Sequence, residues 1–263
     1  MPDDRRAAKD AALSGAARVL ATLRYLGETP NGASLQQITA ALDSPKTSVH
    51  RALGQLVAAG LVSQDEDSHY RYSYDLLRLV YRCYEQMDEV GRVRPVLSLL
   101  AGRFGEATHY ARLDGSEVVY VAKTQSPGAG LQITSVIGGR NPAHCTGLGR
   151  ALLSCALADE AAVEEYVTRY GPLERRTDNT LVDAKALARD LAATRRRGYA
   201  LDREESEAGI NCLAIPVFLH PSPVPSGAIS VTALARRTPL RVLEDAVGEI
   251  RAIITRELGD VLE

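Results

Sequence analysis

The chain has only four cysteines, Cys83, Cys145, Cys155 and Cys212, and no CxxC pair among them. That spacing excludes a dense disulfide framework, matches no zinc template and fits a reducing cytoplasm. No run of about 18 apolar residues occurs, the length a membrane-spanning helix needs. The amino-terminal stretch is charged and has no apolar core segment, so no secretory leader is expected. A dominant charge is missing too. The net charge is −2, so no global basic field advertises nucleic acid. Up to Asp75, eight cations face nine anions. Any DNA-binding function must therefore rest on pattern and local placement. There is no internal repeat and no low-complexity segment. What remains, 45% hydrophobic and 24% charged residues, is ordinary globular composition, and 263 residues suffice for two domains.

Residues 34–60 organise the rest. Leu35, Ile38 and Leu42 recur at helical spacing, with Ser34 placed as an N-cap. Asp43-Ser44 interrupts, and Pro45 sits where a new helix begins. In that second helix Val49, Ala52, Leu53, Leu56 and Val57 share one face. Thr47, Ser48, Arg51 and Gln55 fall on the other, and Gly60 closes the helix. Helix, tight turn and helix with a small-polar, cationic outer face is the helix-turn-helix arrangement. An ordinary amphipathic helix gives the same pattern when it stands alone. Here two β-prone runs follow, 61–63 and 70–72, separated by a polar loop, and read as a wing. The expected DNA contacts are Ser44, Lys46, Thr47, Ser48, His50 and Arg51. Hydroxyls and amino-terminal N–H groups suit phosphates, and Arg51 suits a guanine edge or a phosphate.

In chain order, residues 16–27 predict a first helix with Val19, Leu20, Leu23 and Leu26 inward. Pro30-Asn31-Gly32 predicts a turn. Residues 75–87 predict a linking helix that Gly91 and Pro95 break, and Val96, Leu99, Leu100 and Phe104 carry the next one. The linking helix packs either on the chain's own core or on a second subunit. Strands are expected over 108–113, 117–123, 131–137, 212–218 and 227–233. A loop is expected over 138–146. Helices are expected from Gly147 (with Leu148, Leu152 and Cys155 on one face), from Asp159 to Tyr170, and from Asp183 to Gly198. Thr238-Pro239 caps a last helix with Leu243, Val247, Ile250 and Ile254 inward. Strands interspersed with helices indicate an α+β domain.

Thr146-Gly147-Leu148-Gly149 reads as a loop feeding a helix N-terminus, a place that suits a carboxylate. The glycines either let a ligand approach the backbone or simply allow tight packing. They make no dinucleotide fingerprint, since the third glycine and the ribose-binding acid are missing, so no cofactor is expected. Asp202 can orient a polar ligand. Cys212 and Ala214 alternate along one strand, as do Ser230 and Thr232 along another. They line a wet pocket or fill a core. His144 is read as bracing its loop. Arg140 either pairs with a nearby acid or meets an anionic ligand.

Two stretches carry a family likeness. GGRNPAHCTGLGRALLSCAL, from Gly138, resembles the loop-and-helix signature of IclR-type transcriptional regulators. LARDLAATRRRGYALDREESEAGINCLAIPV, downstream, resembles the family's second signature. Together with the helix-turn-helix, the likeness spans almost the whole chain. It implies a winged helix-turn-helix domain (11–74), a linking helix (75–90) and a GAF/profilin-like effector-binding domain (91–263). That last domain would hold a mixed or antiparallel sheet flanked by helices. It also implies a cytoplasmic dimer or tetramer on double-stranded operator DNA, without membrane contact. Repression of a catabolic operon, relieved by a small organic or sugar acid, is the expected function, with activation as the alternative. The family's effector contacts fall on Thr146, Gly147, Leu148, Asp202, Cys212, Ser230 and Thr232. Three departures stand out: Arg150 where lysine is usual, a long proline-rich loop from His220 to Ser226, and Val231-Thr232-Ala233-Leu234 for a commoner Ser-Gly ending. Two other classes compete with this reading: an enzyme using His144-Cys145 beside Asp202, and a metal or redox sensor using His144, Cys145, Cys155 and Cys212. Catalysis is not expected.

Overall fold

The computed structural model describes residues 13–125 and 135–262. Its contacts divide the chain into two compact units, the first ending at Met87 and the second starting at Asp88.

The first unit begins with α1 (Gly15–Gly27), capped by the Ser14 hydroxyl. Then come β1 (Ala33–Ser34), α2 (Leu35–Ala41) and α3 (Lys46–Ala58). β2 (Val62–Gln64), β3 (His69–Tyr72) and α4 (Tyr74–Glu85) follow. Ser34 caps α2 reciprocally. Its hydroxyl accepts from the Gln37 amide, and Gln37 Oε1 accepts from the Ser34 amide at 2.8 Å. Pro45 takes the cap position of α3, one residue before the place read from the sequence. Gly60, at φ +70°, ends α3. The Gly60 amide donates to Val57 and the Leu61 amide to Leu56, which satisfies the last carbonyls. β2 and β3 form the wing, and β1 adds an unexpected third antiparallel strand beside β3. The Asp65 carboxylate closes the wing turn, accepting from the His69 amide at 2.8 Å and pairing with Arg71 at 3.0 Å.

Leu26, Ile38, Val49, Leu53, Leu56, Val62 and Tyr70 form the core of this unit. Two expected inward residues are exposed instead, Leu20 at 61% and Val57. Thr22 takes the inward place on α1, which its hydroxyl permits by donating to the Arg18 carbonyl at 2.8 Å. On α4 no residue is buried, and Tyr74, Leu77, Val80 and Tyr81 are all more than half exposed.

The second unit opens with α5 (Asp88–Phe104). Gly91 and Pro95 lie inside this helix rather than breaking it. An interior proline costs about 3 kcal/mol. Burial of Val90, Val93, Val96, Leu97 and Leu100 along one helix outweighs that. Leu99 stays exposed. Next are β4 (Ala107–Asp114), β5 (Glu117–Gln125), β6 (Arg140–Pro142) and α6 (Gly147–Ala156). α7 (Glu160–Tyr170) and α8 (Ala184–Arg197) are capped by Asp159 and Asp183, and Gly198 at φ +74° closes α8. β7 (Ala200–Arg203), β8 (Ile210–Val217), β9 (Gly227–Leu234), α9 (Leu240–Asp245) and α10 (Val247–Leu258) complete it.

Several expectations are corrected here. The expected strand at 131–137 lies partly outside the described residues, and 135–137 carry no strand. The expected loop at 138–146 contains β6, and β7 was not foreseen. The last helix is two, divided at Ala246. Pro239 takes the cap position, because the Thr238 hydroxyl donates to Glu106 at 2.6 Å. Cys155 points outward.

The strands form one antiparallel sheet in the order β6-β5-β4-β9-β8-β7. The pleat separates its two faces. One face packs on α6, α7 and α8 through Leu148, Leu152, Val163, Leu187, Leu191 and small residues such as Ala200 and Ala214. On the other, Thr108 donates its hydroxyl to the Leu97 carbonyl of α5 at 2.8 Å. α10 packs on α5, joined by an Arg103–Glu249 ion pair. An N-terminal winged helix-turn-helix and a helix-flanked antiparallel sheet make the α+β architecture expected.

Candidate functional site

On α3 the apolar residues settle the orientation. Val49, Ala52, Leu53 and Leu56 are buried. Lys46, Thr47, His50 and Arg51 are left exposed, with Ser44 and Ser48 half-buried. No side chain caps the start of α3, so its first amides keep their donors for another acceptor. Ser44 is already engaged within the chain, donating to the Leu42 carbonyl at 3.1 Å.

The second cluster is built by sheet register. Asp202 pairs with Cys212, Cys212 with Thr232, and Thr232 with Ala107. One pleat away, Ala214 pairs with Ser230, Ser230 with His109, and His109 with Lys123. A polar strip therefore crosses five strands on one face. α6 starts above it. The Thr146 hydroxyl caps α6 through the Gly149 amide at 3.0 Å. A Cβ added at Gly147 would come 3.0 Å from Cys212 Sγ and 3.6 Å from the Ala214 Cβ. Gly147, Cys212, Ser230 and Thr232 are thus brought together, and they and Leu148 are buried. Gly149 has the packing role, since a side chain there would overlap the Ala143 backbone.

His109 stands at the centre of this strip and had no signal in the sequence beyond a lone histidine in a strand. Its Nδ1 lies 3.4 Å from Thr232 Oγ1 and 3.5 Å from Ser230 Oγ, and its Nε2 2.9 Å from Ser135 Oγ. Burial and the nearby Lys123 cation push its pKa down to about 3, so the ring is neutral. Thr232 donates to Cys212 Sγ at 3.4 Å, and burial pushes that thiol up to about 12. Tyr120 meets the His109 ring edge-on at 5.4 Å and accepts from Asn141 at 3.1 Å. Between the Asp202 carboxyl at one end and the Lys123 cation at the other, the strip is a set of uncharged donors and acceptors.

Asp202 is 2% exposed, and its carboxylate is taken by the turn that follows it. Oδ1 accepts from the Glu205 amide at 2.8 Å, and Oδ2 from the Ser206 hydroxyl at 2.5 Å. Burial nevertheless pushes its pKa up to about 7, against the pull of Arg150 and Ser206. Arg150 is fully buried. It binds Glu205 two-pronged and the Leu201 carbonyl, and lies 3.5 Å from Asp190. These partners sit 40 to 55 residues away in sequence, and no local pattern announces them.

The remaining candidates have plain structural roles. The His144 ring lies 2.9 Å from the Glu174 carbonyl, bracing the loop as expected. Cys145 donates to the Pro142 carbonyl, and burial pushes its thiol up to about 12, far from a thiolate nucleophile. Arg140 pairs with Asp114 and Glu117 at the surface. Among the described residues no group of three or more His, Cys, Asp or Glu is placed to hold a metal ion, and no helix is long and apolar enough to cross a membrane.

Comparison with known proteins follows this division of the chain. The IclR helix-turn-helix domain family matches residues 15–66, and the family described as bacterial transcriptional regulator IclR C-terminal matches residues 82–255. The HTH-type transcriptional regulator XynR of Escherichia coli K12 is 33% identical over 221 residues, covering 84% of this chain and 86% of its own. The transcriptional repressor IclR of the same strain is 29% identical over 248 residues, covering 93% and 87%. The crystal structure of Thermotoga maritima IclR superposes with a TM-score of 0.73 at 25% identity, covering 92% of this chain and 97% of that one. With both signatures, both units and the outer face of α3 accounted for, the chain belongs to the IclR family of DNA-binding bacterial transcriptional regulators.

Proposed function

We infer that the chain is an effector-controlled regulator, a repressor of a catabolic operon, acting in the cytoplasm and not an enzyme. Residues 11–74 bind operator DNA, 75–90 link, and 91–263 hold the effector. Lys46, Thr47, Ser48, His50 and Arg51 of α3 enter the major groove, with Ser44 at its edge. The effector lies between the start of α6, at Thr146, Gly147 and Leu148, and the polar strip of Asp202, Cys212, Ser230 and Thr232. The observation that carries this is the convergence of a helix N-terminus on uncharged hydroxyl, thiol and imidazole groups. The positive end of a helix favours a carboxylate, and the strip favours hydroxyl or keto oxygens. A small organic or sugar acid satisfies both.

The exposed Tyr74, Leu77, Val80 and Tyr81 of α4 support the further reading that the working form is a dimer or tetramer joined at this helix. Effector binding then shifts the population of subunit arrangements, and only by as much as it prefers one of them.

Calorimetry with a panel of organic and sugar acids, wild type against Gly147→Asp, tests the effector site. An acid that binds wild type and fails on the folded variant is expected. Equal binding to both would remove the anion site. Footprinting tests the DNA half, where a salt-sensitive operator complex is expected.

A further inference from the structure

At the opposite end of α6 lies a cavity of about 300 Å³. It is separate from the site above, about 12 Å from Gly147 along the helix at 1.5 Å per residue. Ile215, Pro216, Phe218 and Leu262 give it apolar walls, and Arg195 and Arg251 reach it. Among the described residues its lining carries two guanidinium groups and no carboxylate.

Both arginines are held by helix ends. Arg195 Nη1 donates to the Ser154 and Leu157 carbonyls at 2.8 and 2.6 Å, beyond the last turn of α6. Arg251 Nη2 donates to the Arg197 and Gly198 carbonyls at 3.0 and 3.1 Å, closing α8. These bonds fix the side chains in place. They leave Arg251 Nε buried with no partner among the described residues. That Nε is shielded from solvent and so from the cavity itself; what Arg251 offers a ligand there is its positive charge beside an apolar wall.

We propose that this cavity is a second ligand site, taking a small carboxylate with a ring-sized apolar body. The carboxylate accepts from Arg251 and neighbours Arg195, and the body fills the space against Phe218 and Ile215. Pockets of this volume lie at the small end of the range for small-molecule sites, and an apolar wall with a few fixed polar groups is their usual composition. Two preset guanidiniums favour a planar anion over a neutral analogue.

Benzoate is the probe, and benzamide its uncharged counterpart. Calorimetry in the Gly147→Asp chain removes binding at the first site. One benzoate per chain is expected, with benzamide about tenfold weaker or worse. Adding Ala158→Phe, which places a ring at an exposed lining residue, should weaken benzoate by about tenfold or more. In the wild type, methyl NMR signals of Ile215 and Leu262 should shift on benzoate addition, a readout independent of any variant's folding. Unmoved methyl signals overturn the proposal, as does binding that survives Ala158→Phe. Benzamide binding as tightly as benzoate overturns the anion assignment. If Gly147→Asp leaves acid binding intact while Ala158→Phe abolishes benzoate, the first site fails and this one stands.

Discussion

Arg150 and Glu205 meet inside the second unit as a two-pronged ion pair, Nη1 2.7 Å from Oε1 and Nη2 2.6 Å from Oε2. Both side chains are almost fully out of water. Two buried charges in this geometry stabilise mainly against the loss of either one. Arg150→Ala should lower the unfolding free energy by about 3–5 kcal/mol, because Glu205 loses both prongs, and Glu205→Ala should cost less, since Arg150 keeps Asp190 and the Leu201 carbonyl. The apolar pair Arg150→Met with Glu205→Leu should recover much of it. Urea denaturation of the two alanine variants and of their alanine double gives the coupling directly, and losses that merely add would show the pair to be unlinked.

Two buried groups on the polar face should give opposite pH slopes. For Asp202 the folded value of about 7 lies above the ordinary 3.8. Between them the folded chain keeps a proton that the unfolded chain has released, so this contribution to stability falls as pH rises through that window. For His109 the folded value of about 3 lies below the ordinary 6.5. Here the unfolded chain holds the extra proton, and stability rises with pH through about 3 to 6.5. Relative to wild type, Asp202→Asn should therefore gain stability on going from about pH 4 to about pH 7. His109→Gln should lose relative stability over the same rise. Urea midpoints across the range check both, and variant curves parallel to wild type would contradict them.

Two neighbouring glycines should respond differently to alanine. Gly149→Ala drives a methyl into the Ala143 backbone, which has no flexible end to yield. A loss of about 3 kcal/mol is expected, at the upper range for overpacking. Gly147→Ala meets a Cys212 sulfur at 3.0 Å. It should cost about 1 kcal/mol or less and act mainly on effector affinity. Thermal melts paired with effector titration separate the two.

Arg51 is exposed and bears on no core contact, so Arg51→Ala should leave stability within about 0.5 kcal/mol. Operator affinity should drop by about 1–3 kcal/mol. Relaxed preference at one base pair would place the guanidinium on a base edge. A uniform loss with a shallower salt dependence would place it on a phosphate. Unchanged operator affinity would remove α3 from the groove.

How far the sequence could be read depended on the range of the interactions. The reciprocal Ser34–Gln37 cap, the Gly60 closure and the amphipathic face of α3 are settled within a few residues, and they were legible. So were Asp159 and Asp183 as caps. Pro95 was misread because its local penalty is fixed while the burial that offsets it comes from elsewhere in the fold. β1 and β7 escaped because strands of two and four residues have too little alternation to see. In the polar cluster, Gly147, Leu148, Asp202 and Cys212 of the two signatures were found, and Ser230 and Thr232 beyond them. His109, Tyr120, Ser135 and Asn141 were not, because only strand register and loop placement bring them together. Arg150 was noted as unusual, but its carboxylate partner was invisible without the fold.

The strip of polar side chains runs across five strands, and each strand contributes one or two residues to it. The reverse side is packed separately, β4, β5 and β9 on α5 and β8 on α9. On the proposed assignment of the strip to the effector, selectivity is retuned by exchanging single strip residues while the scaffold behind them stays as it is. Such a domain can diversify in what it senses faster than in how it folds.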